Sequence, residues 1–134
     1  MTAKLCEEWL KKAEEDYQTA LVLAQKKKSF FFNTICFHCQ QSAEKYLKAY
    51  LALLQIPFPK THDLILLRQI CVNQGADFEV IAELILSLNP YSVEYRYPGE
   101  QANRKDAERA LAASEKVRHF LKEKIAVEKK GKKK

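Results

Sequence analysis

Glycine and proline are scarce in this chain: its 134 residues include three of the first and four of the second. Sandwiches and barrels need turn residues roughly every 8 to 12 positions, so an all-β architecture is disfavoured. Long apolar runs are also missing. None approaches the ~18 residues of a membrane span, and Lys4, Glu7 and Glu8 interrupt what would be the apolar part of a secretory leader. A cytoplasmic protein with no membrane association is expected. Without a secretion signal, four scattered cysteines, at 6, 36, 39 and 71, read as reduced thiols rather than as a disulfide frame.

What the chain has in quantity is alanine, leucine, lysine, glutamate and glutamine, the residues that lose least on entering a helix. Its length suits one domain around a single core. Leu5, Trp9, Ala13, Tyr17, Ala20 and Ala24 recur at steps of three and four, which predicts an amphipathic helix over about 3–28. A second helix is predicted over 33–55, with Ile35, Cys39, Ala43, Tyr46, Leu47, Tyr50 and Leu54 inward and the "IPFPK" stretch as its stop. Thr61 is the expected N-cap of a third helix with Asp63 in its first turn, and Leu64, Leu67 and Cys71 as its inner face. A shorter helix follows near 78–87. The irregular, tyrosine-rich "NPYSVEYRYPGEQ" leads to a last helix over 101–127, carrying Ala107, Leu111, Ser114, Val117, Leu121 and Ile125 inward. The expected fold is all-α: an antiparallel up-and-down helical bundle with three long helices and two shorter ones.

The formal charge is +6, but the last seven residues, "EKKGKKK", hold five lysines and one glutamate and so carry +4 of it. Residues 1–127 are therefore the expected domain, nearly balanced in charge, and 128–134 a basic tail, either a solvated, disordered end or one that touches phosphates without specificity. "KKK" at 26–28 falls where the first helix should end, and there cations meet the helix dipole favourably. "SFFF" at 29–32 is either a dimer contact or a hydrophobic cap over the core.

"CFHCQQSAEKYLKAYL", residues 36–51, opens with a Cys-x-His-Cys arrangement. A structural zinc site needs four ligands, and no second pair stands at finger-like spacing. Haem attachment needs the histidine after the second cysteine, whereas Gln40 is there; a thioredoxin-type pair needs a preceding strand, and none is predicted. Neither a metal nor any other cofactor is expected, and Cys39 reads as a core residue. On the same helix His38, Gln41 and Lys45 fall at i, i+3 and i+7, one stripe of polar groups. Spacing alone leaves it open whether they bind a ligand or form a solvated face.

"WLKKAEEDYQTA", then "CFHCQQSAEKYLKAYL", "THDL", "YSVEYRYP" and a long alanine-rich final helix together resemble the small prokaryotic HEPN domain proteins (higher eukaryotes and prokaryotes nucleotide-binding). The four segments keep the family's order and span nearly the whole chain. The resemblance implies a helical up-and-down bundle paired into a homodimer. It also implies nucleotide or RNA association, beside a small nucleotidyltransferase encoded next door in a toxin–antitoxin-like module. Many members are metal-independent ribonucleases using an arginine followed, after roughly four to six residues, by a histidine that transfers protons. That pair is absent here: no arginine precedes His38 or His62, and His119 follows Arg118 directly and lies ten residues from Arg109.

The expected function is thus non-catalytic nucleotide binding in service of a nucleotidyltransferase partner, with no catalytic residues assigned. The alternative is a ribonuclease toxin with an atypical active site drawn from His38, His62 and Arg96. Arg96 is placed to hold a phosphate, and Tyr91, Tyr95 or Tyr97 to stack on a base; His62 and Asp63 reach a ribose or an anion. Plain alternatives stand beside each: His62 supporting its own helix start, Arg96 paired with Glu44, and Tyr97 plugging the core. Nucleotide- or phosphate-binding candidates are therefore His38, Gln41, Lys45, His62, Asp63, Tyr91, Arg96 and Tyr97.

Overall fold

The computed structural model describes residues 2–26, 31–95 and 97–132. Among them are five α-helices and no strand: α1 (Thr2–Ala24), α2 (Phe32–Leu53), α3 (Leu64–Asn73), α4 (Ala82–Leu88) and α5 (Arg104–Lys132). Single 3-10 turns, Glu79–Ile81 and Asn89–Ser92, flank α4. The tyrosine-rich segment continues from the second of these.

α2 is the axis of the molecule. From Ile35 to Leu53 only Phe37, His38 and Lys45 escape full burial. Small residues make this possible: Cys36, Cys39, Ser42, Ala43, Ala49 and Ala52 let α1 and α5 approach its backbone from either side, while Tyr46, Leu47 and Leu51 fill the core between them. Phe78, 1% exposed, closes the α4 end, its ring 5.0 Å from Tyr50 and 5.1 Å from Phe120 on α5. The inner stripe of α3 is the one that the periodicity marks; in α5 Leu111 is half-buried, and Ala110 and Ala113 join the buried face.

Several boundaries differ from the sequence expectation, and those of α2, α3 and α5 have local reasons. Asp63, rather than Thr61, caps α3: Asp63 Oδ1 accepts from the amides of Ile65 (3.0 Å) and Leu66 (3.3 Å), and Thr61 Oγ1 accepts from the Asp63 amide in turn. α2 stops before the prolines, in a Schellman turn. The Ile56 amide reaches Leu51 O and the Gln55 amide reaches Ala52 O, with Gln55 at φ +59. The same turn closes α3, and there a glycine takes the left-handed position, Gly75 at φ +87. α5 starts at Arg104 behind a reciprocal cap, in which Asn103 Oδ1 accepts from the Asp106 amide and Asp106 Oδ2 accepts from the Asn103 amide. It then runs on past 127 to Lys132, held where Lys129 pairs with Glu7 of α1.

In α1 the first inward position is Cys6, while Leu5 is 47% exposed. The first helix ends at Ala24 rather than near 28; Lys27 and Lys28 of the "KKK" run, like Ser29 and Phe30, lie outside the described residues. Phe31 is exposed, and Phe32 is half-buried under Arg104 (5.2 Å). No helix among the described residues is long and apolar enough to cross a membrane.

Candidate functional site

One α-helical turn after another, α2 presents His38, Gln41, Lys45 and Lys48 along a single flank, at the seam with α1. α1 supplies an acid to that seam because Asp16 sits one position from the apolar stripe and is carried inward with it, to 8% exposure. A buried carboxylate needs partners. Asp16 Oδ1 accepts from His38 Nδ1 (2.7 Å) and Oδ2 from Lys45 Nζ (2.6 Å). Burial pushes the Asp16 carboxyl upward, but the bonds from His38 and Lys45 together outweigh it and hold it below the ordinary carboxylate range.

A second buried acid lies further along the same flank. Glu44, 2% exposed, accepts from Lys48 Nζ (2.9 Å), His62 Nδ1 (2.8 Å) and Gln41 Nε2 (3.3 Å). Gln41 Nε2 also donates to Gln40 Oε1 (2.8 Å), and Gln40 Nε2 donates to the His62 carbonyl (2.8 Å). The loop residue His62 is thereby fixed through its ring and its backbone, although its side chain is 67% exposed. Lys48 lies over the rings of Trp9 (5.3 Å) and Phe58 (6.0 Å), which close this end of the seam. Both imidazoles thus give Nδ1 to a buried carboxylate, an arrangement that fixes ring orientation and leaves Nε2 for other work.

The opposite flank of α1 carries a third acid. Glu14 accepts both arms of Arg118 from α5 (2.8 and 2.9 Å), the Tyr46 hydroxyl (2.5 Å) and Gln18 Nε2 (2.9 Å). The Arg118 bonds, against some desolvation, hold its carboxyl well below the usual range, and burial together with the Glu14 contact raises the Tyr46 phenol. A groove of about 590 Å³ opens beside it between α1 and α5, with Lys11, Lys122 and Lys129 on its rim.

The residues that the sequence nominates fall into two groups on different sides of α2. His38, Gln41, Lys45 and His62 share the seam. Tyr91 lies elsewhere: its ring stacks on Tyr95 (5.9 Å, 25° between planes), and it neighbours the thiol of Cys36, which is two positions from His38 and so nearly opposite on the helix. Asp63 is engaged as the α3 cap and accepts from Asn89 Nδ2 (3.2 Å), while Asn89 Oδ1 accepts from the Leu64 amide; this ties the start of the tyrosine segment to α3. Tyr97 is 73% exposed and plugs no core. Arg96 lies outside the described residues, while Glu44, its suggested partner, is occupied by Lys48 and His62.

Cys36 and Cys39 are buried, and burial pushes the Cys36 thiol up to about 12 and Cys39 higher still. Among the described residues no group of three or more histidines, cysteines or acids is placed to hold a metal. The sequence pattern does not nominate Asp16, Glu14 or Arg118 as site residues, and it marks Tyr46 only as a core position and Glu44 only as a partner for Arg96. For Asp16 a signal existed, an acid beside the inward stripe of α1; for Arg118, 104 residues from Glu14, there was none.

Two solved structures share this fold. TT1696 from Thermus thermophilus superposes with a TM-score of 0.74 at 24% identity, covering 89% of this chain and 97% of that one. ST0689, described as an archaeal HEPN homologue, gives a TM-score of 0.68 at 21% identity, covering 90% of this chain and 97% of its own. Curated protein sequences give no significant match. The sequence profile of the HEPN domain matches residues 6–125. Nearly the whole helical body, including the α1–α2 seam and the Glu14–Arg118 clamp, falls within that match, and the chain belongs to the HEPN domain family.

Proposed function

We propose that this chain is a non-catalytic, nucleotide-binding HEPN protein that works with a small nucleotidyltransferase partner in a toxin–antitoxin-like module, as a homodimer built on an up-and-down bundle. The observation that carries the binding reading is the α1–α2 seam, where two ammonium groups and two imidazoles converge on two buried carboxylates. Lys45 and Lys48 balance Asp16 and Glu44, so the seam repels no anion, and the exposed edge of His62 offers a donor or acceptor to phosphate or ribose. Family membership supports nucleotide or RNA as the ligand class, and the missing arginine–histidine spacing supports recognition over cleavage. Tyr97 and the stacked Tyr91–Tyr95 pair are a separate candidate surface for a base, and Arg96 is a phosphate-binding candidate from the sequence.

Calorimetric titration with ATP and other mononucleotides tests this reading, repeated with His62→Ala and with Lys45→Met. Binding that weakens at least tenfold in either variant supports the seam. Absence of heat from every nucleotide, together with no complex with the neighbouring gene product, refutes it.

A second reading is favoured by one feature of the same geometry. His38 and His62 each carry the carboxylate tether that orients a general acid or base. RNA incubated with the protein in EDTA, then with His38→Ala and His62→Ala, decides the matter: cleavage that either substitution abolishes makes the chain a ribonuclease with an atypical site.

A further inference from the structure

Away from the seam, a cavity of about 450 Å³ lies between the turn that closes α3 and the last turns of α5. Tyr50 and Phe78 form its inner wall, their ring centroids 5.0 Å apart, and Leu54 and Val127 extend the apolar surface. Gln74, Asp77, Lys124 and Glu128 line the mouth.

Tyr50 is 4% exposed, its hydroxyl makes no hydrogen bond to a described residue, and its oxygen is not sealed inside the core as those of Ser42 and Ser114 are. Tyrosines packed this deeply ordinarily find a partner for the hydroxyl. Tyr46, one turn earlier on α2, shows what the fold does when it satisfies such a group internally, for its hydroxyl meets Glu14. The polar end of Tyr50 is instead left to the cavity, and burial beside Glu128 keeps the phenol protonated, its value pushed up to about 12.

The charges around that hydroxyl are mostly negative. Asp77 and Glu128 make no ion pair with a described residue; Asp77 accepts only a long bond from the Glu79 amide (3.5 Å). Lys124 is the one cation on the lining, and its ammonium rests over the Phe120 ring (5.4 Å) rather than on either acid. Two carboxylates, a phenol oxygen and aromatic walls in one concavity are complementary to positive charge bearing N–H donors. An anion or a purely apolar guest would leave the acids or the phenol unmatched.

We propose that this cavity is a binding site for a small organic cation with an ammonium or guanidinium group, whose N–H donors reach the Tyr50 oxygen and the Asp77 and Glu128 carboxylates. The site is independent of the nucleotide reading, since it shares no residue with the seam.

The test follows amide chemical shifts of the full chain at low salt during titration with agmatine, which carries both groups, and with 1,4-diaminobutane, which carries ammonium alone; 1,4-butanediol is the uncharged control. Saturable shifts at Gly75, Ala76, Asp77 and Phe78 are expected with at least one cation and not with the diol. A response to agmatine alone assigns the site to guanidinium, and a response to both assigns it to either group. Tyr50→Phe, which keeps the ring and removes only the hydroxyl, should weaken binding about tenfold, and Glu128→Gln about threefold. Failure of both cations to saturate overturns the proposal, as does an equal response to the diol or unchanged titrations in Tyr50→Phe and Glu128→Gln. Should Tyr50→Phe not fold, Glu128→Gln at the rim still decides.

Discussion

Replacing Asp16 with asparagine isolates what the seam contributes to stability. The substitution keeps the shape and removes the charge: the new amide can give its oxygen to Lys45 and its N–H to the other tautomer of His38, but neither bond is then made to a carboxylate. Two charge-assisted hydrogen bonds are at stake, 2.7 Å to His38 and 2.6 Å to Lys45. Each is of a kind that contributes about 1.5–3 kcal/mol. The partners are partly open, with side-chain exposures of 26% and 22%, and water will compensate some of the loss. A net destabilisation of about 2–3 kcal/mol results. An unfolding entropy of about 2.1 cal/mol/K per residue gives roughly 0.28 kcal/mol/K for a chain of this length, so Tm should fall by about 7–11 °C. Differential scanning calorimetry at pH 7 reads this directly, with exposed Glu15→Gln as a control expected to stay within about 0.5 kcal/mol.

Acid adds a second reading of the same residue. The folded Asp16 carboxyl lies below its unfolded value, so its stabilisation is complete above the unfolded value of ~3.9 and is lost as pH falls through the folded one. The gap between parent and Asp16→Asn should therefore narrow below about pH 4. A variant that melts within 2 °C of the parent at pH 7, or a gap that stays constant down to pH 2, would refute the claim that this acid clamps α1 to α2.

Gln55 occupies a left-handed position at φ +59 with its amide in the Schellman turn, so Gln55→Gly should raise stability by about 0.5–1 kcal/mol in urea denaturation; a loss would contradict the strain argument. Asp63→Ala removes the α3 cap and the Asn89 contact, and should cost about 1–2 kcal/mol by the same measurement, whereas Thr61→Ala should cost less than half as much. All four cysteines are buried, and burial pushes the thiols of Cys36 and Cys71 up to about 12. A disulfide reagent at pH 8 should label none of them until urea unfolds the chain, and fast labelling of any one in buffer would show that the core opens locally.

Helix content was legible in the sequence because each helix announces itself by a stripe, and the inner stripe of α3 and most of those of α2 and α5 read correctly from spacing alone. Ends were harder to place. At Thr61 and Asp63 two capping residues compete within three positions, and only backbone geometry selects Asp63. At Gln55 a non-glycine residue closes the helix, so the signal usually carried by glycine is missing and the prolines two and four residues on attract the boundary instead. The stripe of His38, Gln41 and Lys45 was visible, but its meaning was not, because the acids that organise it come from α1 and from a position of α2 that the polar pattern does not distinguish. Pairs such as Glu14 with Arg118 leave no trace in local periodicity, since nothing about either residue's neighbours specifies the other.

Three acids and their donors have a mechanical consequence for α1. Asp16 is gripped on one flank, and Glu14, two residues earlier and nearly opposite around the axis, on the other. A roll that loosens one grip strains the other, and a shift by one residue turns both acids away from their donors. The first helix is thus indexed on the second like a key with teeth on both edges, and it leaves that position only by releasing everything at once.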